Sequence, residues 1–231
     1  MSEEIATPVD AEAVKGAKNK AVEASIRILE NFYSFLVSFA LTQATLKLIL
    51  TWQANQDWHA LGASVLYASF LMTLVPFYQG MNRFLYETHV VRPLEKPEAR
   101  SSPLLFDVWA FILMASLLFV MGWSITSPYV FFYAWSALLA VDIVWTTLVW
   151  TIQSSRKPIW AVNNLLFLGF GWIYWVSIYA LSGFPSFDKN VLSALIYGFV
   201  VVEIGRSVMD YKINWKFYFP PEFRGAGNVR K

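Results

Sequence analysis

The stretch PLLFDVWAFILMASLLFVMGWSITSPYVFFYAWSALLAVD, residues 103–142, decides how this chain folds. From Asp107 to Asp142 it runs for 34 residues without a charge. A membrane helix uses about 20 mainly apolar residues and rarely more than about 25, so this stretch is too long for one span. Ser124-Ile125-Thr126-Ser127-Pro128 breaks it near the middle with turn-forming residues. The reading is a tight hairpin joining two membrane helices, about 103–123 and 128–153.

Working outward, the same rule finds four more spans, at about 31–52, 60–82, 158–181 and 189–209. The last is the weakest, because Glu203 shortens its uncharged run. Ser102-Pro103, Ser127-Pro128 and Lys157-Pro158 each open an apolar run. Proline at the first helical position loses no hydrogen bond, and Ser102 and Ser127 are suited to cap the free N–H groups. The fold class expected is all-α: a polytopic integral membrane bundle of six helices.

Composition agrees. The AVILMFWYC fraction is 57% and charged residues are 15% of the 231 residues. With glycine included the apolar share is about 62%, against roughly 45–50% for a soluble domain, whose charged share is about 25%. The same numbers exclude disorder. There is no cysteine, which removes disulfides, zinc–thiolate sites and thiol chemistry. A net charge of +2 leaves no nucleic-acid footprint. The runs lack period-two alternation and exceed strand length, which excludes a membrane β-barrel.

Basic residues alternate between the connections. Lys15, Lys18, Lys20 and Arg27 precede the first span, and Arg83, Arg92, Lys96 and Arg100 follow the second. Arg156 and Lys157 follow the fourth, and Arg206, Lys212, Lys216, Arg224, Arg230 and Lys231 lie at and beyond the end of the sixth. The connections after spans one and three carry none, and the one after span five carries Lys189 alone. Both termini are therefore expected in the cytoplasm. Trp52, Trp58, Trp123 and Tyr129 fall at the expected outer boundary and Trp109, Trp150, Trp160 and Trp215 at the inner one, where amphipathic rings are favoured. The first ten residues hold Glu3, Glu4 and Asp10 with no short apolar segment after them, so no signal peptide is read. The chain divides into a cytoplasmic segment 1–30, helical from about Thr7-Pro8 and continuous with the first span, a membrane domain 31–210, and a cytoplasmic aromatic and basic tail 211–231. The absence of cysteine suits a bacterial cytoplasmic (inner) membrane.

Ionisable residues at membrane depth are costly, so they are where function is sought first. Gln79, Asn82, Arg83 and Glu87 share one face at the end of span two, and Glu203, Arg206 and Asp210 share one face of span six. Asp107 opens span three, Asp142 lies near the middle of span four, and Asn163 and Asn164 lie one turn into span five. By the topology above, all of them sit at mid-depth or on the cytoplasmic side. They form a candidate polar cluster, with Asp142 and Glu203 the deepest acids. Read as structure, this is an ion-pair network that fixes helix packing. Read as function, it is a solute pathway for a cation, a proton or a small polar molecule.

Pro76 in span two and Gly169-Phe170-Gly171 in span five are read as packing features that could also serve as hinges. Lys47 is expected to snorkel to the outer surface. Trp215, Lys216, Phe217, Tyr218 and Phe219 read as an interfacial anchor or a docking surface, stopped by Pro220-Pro221.

No metal site or cofactor is expected, because His59 and His89 fall on opposite sides and no metalloprotease, nucleophile-elbow, Walker or dinucleotide motif occurs. An enzyme is not expected, although an intramembrane one is not excluded by sequence. Two readings remain. One is a small homo-oligomeric channel or transporter in the lipid bilayer. The other is a non-catalytic sensor, scaffold or anchor, for example of a stress or defence system, with a cytoplasmic protein partner at the N-terminal helix or the C-terminal tail.

Overall fold

A computed structural model describes residues 8–54, 58–95, 103–153, 159–181 and 189–219. All regular structure among them is helical. Helix α1 spans Pro8–Ala54, α2 Trp58–Tyr86, α3 Leu104–Trp123, α4 Pro128–Gln153, α5 Ile159–Leu181, α6 Lys189–Ile213, and the short α7 Trp215–Tyr218. Beyond Tyr86, α2 runs on through a π-helical turn, Glu87–Val91, and one last α-turn, Arg92–Glu95. Helices α1 to α5 are long and apolar enough to cross a membrane. The chain is thus a bundle of long apolar helices with integral membrane character.

Each of the six long helices packs chiefly on two others, and α2 also touches α3. Going round the bundle, the order is α1, α3, α4, α5, α6, α2 and back to α1. The hairpin expected at Ser124 is present: α3 stops there as the Ser124 N–H reaches back to the carbonyls of Val120 and Met121, each at 3.0 Å, and α4 starts at Pro128. Pro128 holds the first helical position, as its fixed φ favours. Pro103 does not. It sits one place earlier, as the extended residue before α3, with ψ 126°, and caps through its carbonyl, which accepts from Phe106 N–H at 3.0 Å. Ser102, Lys157, Pro158 and Pro220-Pro221 lie outside the described residues.

Small residues set the closest contacts, because apolar burial does not drive helices together in lipid and close van der Waals packing does. On α1 the buried positions are Ile26, Tyr33, Val37, Ala40 and Ala44, a seam at helical spacing. Against it lies Gly122 of α3, so near that a β-carbon there would stand 2.8 Å from the Ala40 carbonyl oxygen. Gly171 makes the corresponding approach in α5, where the Trp135 ring occupies the space of a missing β-carbon. Gly169, by contrast, faces open space, so only one glycine of that pair serves close packing.

Pro76 lies inside α2. It has no N–H to give the carbonyl four residues back, which belongs to Met72. The Ser207 hydroxyl of α6 donates to that carbonyl at 3.0 Å. The vacancy made by proline is thus filled from the neighbouring helix, the kind of repair that lets membrane helices keep prolines. The same bond sets Arg206, the preceding residue, against α2.

Large apolar side chains face outward all round the bundle, among them Phe35, Leu105, Ile173 and Val201. Aromatic rings fill the contacts among α4, α5 and α6. Phe132 stacks on Trp175 at 4.3 Å between centroids, and Trp135 meets Phe199 edge-on at 4.9 Å. Lys47 Nζ lies 5.4 Å from the Trp123 ring centroid, at the end of the bundle holding the α3–α4 turn.

Candidate functional site: a buried acidic centre around a small cavity

Helix spacing puts Glu203, Arg206 and Asp210 on the inner face of α6, and all three are buried. The Arg206 Nε–H is shared between the two Glu203 carboxylate oxygens, at 2.9 and 3.1 Å. The Trp135 indole N–H donates to the same carboxylate from α4. Below the guanidinium lies the Phe77 ring, 5.6 Å from its centre, a cation–π arrangement favoured where water is excluded. Asp210, one turn further on, accepts from Asn214 Nδ2 at 2.7 Å and from the Tyr218 hydroxyl at 2.8 Å. Across from them Asp142 of α4 accepts from Asn164 Nδ2 of α5.

Beside them lies a partly open cavity of about 40 Å³, bordered by Asp142, Asn164, Trp160, Arg206, Asp210 and Tyr218 with Phe77 and Trp145. A water needs about 10–15 Å³ of such space, so the cavity has room for roughly three. Two of its walls carry buried donors with no protein partner, Arg206 Nη2 and Trp160 Nε1. A third such group, the Tyr33 hydroxyl of α1, interacts electrostatically with Asp142. Buried donors are rarely left unpaired, and a polar cavity of this size is where water completes them.

The charge balance is unequal. Three carboxyl groups, Asp142, Glu203 and Asp210, surround one guanidinium. Glu203 and Arg206 answer each other, which leaves two acids over in a low-dielectric setting. Such a surplus is expensive unless protons or a cation balance it.

A second buried group adjoins this one. Asp107 at the start of α3 receives the Trp145 indole N–H on Oδ1 at 2.8 Å and meets His89 Nε2 on Oδ2 at 2.9 Å. Trp145 packs edge-on against Phe84 and Phe111, at 4.7 and 5.1 Å, and also walls the cavity. It therefore bonds Asp107 and borders the cavity that Asp142 also lines.

The remaining candidates are elsewhere. Arg83 and Glu87 form their own half-buried pair at 2.8 Å, one turn apart on α2. Gln79 accepts from the Tyr211 hydroxyl at 2.8 Å. Asn163 is buried one place from Asn164, and the Asn82 side-chain oxygen is buried without a partner. The bundle thus gathers Asp142, Asn164, Glu203, Arg206 and Asp210, sets Asp107 beside them, and leaves Gln79, Asn82, Arg83, Glu87 and Asn163 in separate settings.

The tail segment is divided by the turn at Asn214. Trp215, Lys216 and Phe219 point outward, while Phe217 meets the Trp160 ring at 4.6 Å and Tyr218 covers the cavity. Burial, reinforced by the neighbouring Asp210 carboxylate, holds the Tyr218 hydroxyl well above its ordinary pKa. It stays a neutral donor at any physiological pH. Sequence reading placed Tyr218 in an anchor, assigned Trp160 to the inner membrane boundary, used His89 only to exclude a paired metal site, and did not single out Trp135, Trp145, Tyr33 or Ser207.

No protein-family model, no curated protein and no solved structure matches this chain.

Proposed function

We propose that the protein is a membrane transport protein, a small homo-oligomeric channel or transporter whose buried acidic centre handles an ion, a proton or a small polar solute. The observation that carries this reading is the surplus of acid around the cavity. A bundle needing only adhesion would be served as well by apolar contacts, and buried charges are often neutral or unfavourable for stability. Retained at depth with unequal charge, they mark a pathway.

We propose six spans, with both termini on the cytoplasmic side of a bacterial inner membrane. Helix α6 supports the sixth crossing. Tyr197, Val201, Ile204 and Val208 lie exposed at spacings of four, three and four, an apolar outward stripe, while Glu203, Arg206 and Asp210 turn inward. The alternation of basic residues supports the orientation. The site reads as a passage rather than as an active centre, and the protein as no enzyme.

The test is charge movement or solute uptake in liposomes holding the purified protein, under imposed ion, pH and solute gradients. The reading expects movement that falls at least tenfold in Asp142→Asn. Movement equal to protein-free liposomes under every gradient would remove it.

One observation favours a sensor as the second reading. The tail docks on the centre through Tyr218 and Asp210, so a cytoplasmic partner that peeled the tail away would alter the buried charges directly. Under that reading the protein recovered from its own membrane holds a stoichiometric partner and moves no solute.

A further inference from the structure

The cavity constrains what can pass through it, and this argument rests on the transport reading above. Its 40 Å³ of interior space suit molecules of the size of water. The groups left unpaired at its walls, Arg206 Nη2 and Trp160 Nε1, are donors. They repel a bare metal cation and call for an acceptor oxygen. Water supplies that oxygen, while the surplus carboxyl groups call for positive charge. A proton shared with water meets both demands.

We propose that the species moved through this centre is the proton, carried on water held between Asp142 and Asp210. The charged and titratable groups at the cavity besides the two acids are Arg206 and, from α7, Tyr218, while Glu203 pairs with Arg206 and Tyr33 of α1 interacts electrostatically with Asp142. Asn164 donates to Asp142 and holds that carboxyl in place. The step conserves charge and oxidises nothing. An O–H bond at the Asp142 carboxyl breaks as a water oxygen takes its proton. An O–H bond on the far side of the water breaks as the Asp210 carboxylate takes another. Arg206, whose charge is fixed, keeps the water oriented with its oxygen toward the guanidinium.

The experiment uses the full-length protein in liposomes loaded with a pH-sensitive dye, with the membrane potential clamped by valinomycin and potassium. Sodium and potassium movement is followed separately at equal pH. The expected result is proton flux under a pH gradient, with sodium or potassium flux at least tenfold smaller. Asp142→Asn, close in shape to the native side chain, lowers proton flux at least tenfold while its thermal unfolding stays cooperative. Asp210→Asn is the second variant and does the same. Sodium or potassium flux without proton flux would overturn the inference and leave the transport reading standing. No flux of any kind would overturn both. Proton flux unchanged in both variants would show that the proton takes another route, and would also overturn it.

Discussion

The bond from Ser207 to the Met72 carbonyl can be tested against the proline that makes it necessary. Pro76 removes the only intrahelical donor for that carbonyl, and the Ser207 hydroxyl at 3.0 Å takes its place. Removing the hydroxyl by Ser207→Ala leaves a carbonyl in an apolar setting. Such a loss costs about 1–3 kcal/mol in soluble proteins, while interhelical bonds within membranes average about 0.6 and reach about 1.7 kcal/mol. The expected cost is therefore about 1 kcal/mol. In a Pro76→Ala background the restored N–H of residue 76 answers Met72 within α2, and Ser207→Ala should then cost no more than about 0.3 kcal/mol, the level at which two changes count as independent. The four proteins are compared by reversible unfolding in mixed micelles with rising denaturing detergent. An equal cost of Ser207→Ala in both backgrounds would refute the reasoning, because the hydroxyl would then have no connection with the proline's vacancy.

Other expectations follow from single contacts. Gly122→Ala drives a β-carbon against the Ala40 carbonyl and should destabilise by about 1–3 kcal/mol, the range for overpacking. Gly169→Ala meets nothing and should be neutral or stabilising by up to about 1 kcal/mol, seen as a raised unfolding midpoint. Arg206→Met should cost about 3–5 kcal/mol because it strands the Glu203 carboxylate, and adding Glu203→Gln should recover part of that cost, since the double variant removes the charge pair. Trp145→Phe takes the indole donor from Asp107 and should cost about 1–3 kcal/mol by the same unfolding assay. The native chain has no cysteine, so single cysteines at Gln56, Thr126 and Ser186 should react with an impermeant thiol reagent from outside intact cells, and cysteines at Glu98, Ser155 and Asn228 only after permeabilisation.

The long elements were legible because a bilayer demands one thing of a span, an unbroken apolar run of known length. Residues 103–142 therefore fixed a hairpin to within a residue or two, and α4 begins at the proline expected of it. Pro103 was placed one position off, because a proline before a helix suits both the first helical position and the extended residue ahead of it. Which helices touch was not legible. Nothing in the residues said that α2 sits between α1 and α6, or that Gly122 makes a close approach and Gly169 does not, because lipid-facing and helix-facing apolar residues look alike in sequence.

The site was half legible for the same reason. Charges at depth stand out, so Asp142, Glu203, Arg206 and Asp210 were readable on cost alone. Their partners are aromatic. Trp135, Trp145, Trp160 and Tyr218 looked like core or interface residues, and only their polar tips, turned to carboxylates or to the cavity, make them part of the centre. Gln79, Arg83 and Glu87 were grouped with the acids because they share a face of α2. That face turns to Tyr211 and to its own ion pair instead. Periodicity gives the face of a helix and leaves its neighbour unnamed.

The central claim is that the acidic centre is a hydrated site and not a dry clasp between helices. The most direct measurement is an experimental structure of the protein in a lipid nanodisc at a resolution that shows ordered water. The account predicts water density inside the cavity, within hydrogen-bond distance of Arg206 Nη2 and Trp160 Nε1 and reaching the Asp142 and Asp210 carboxyl groups. An empty or collapsed cavity, with both donors turned onto protein acceptors, would contradict it.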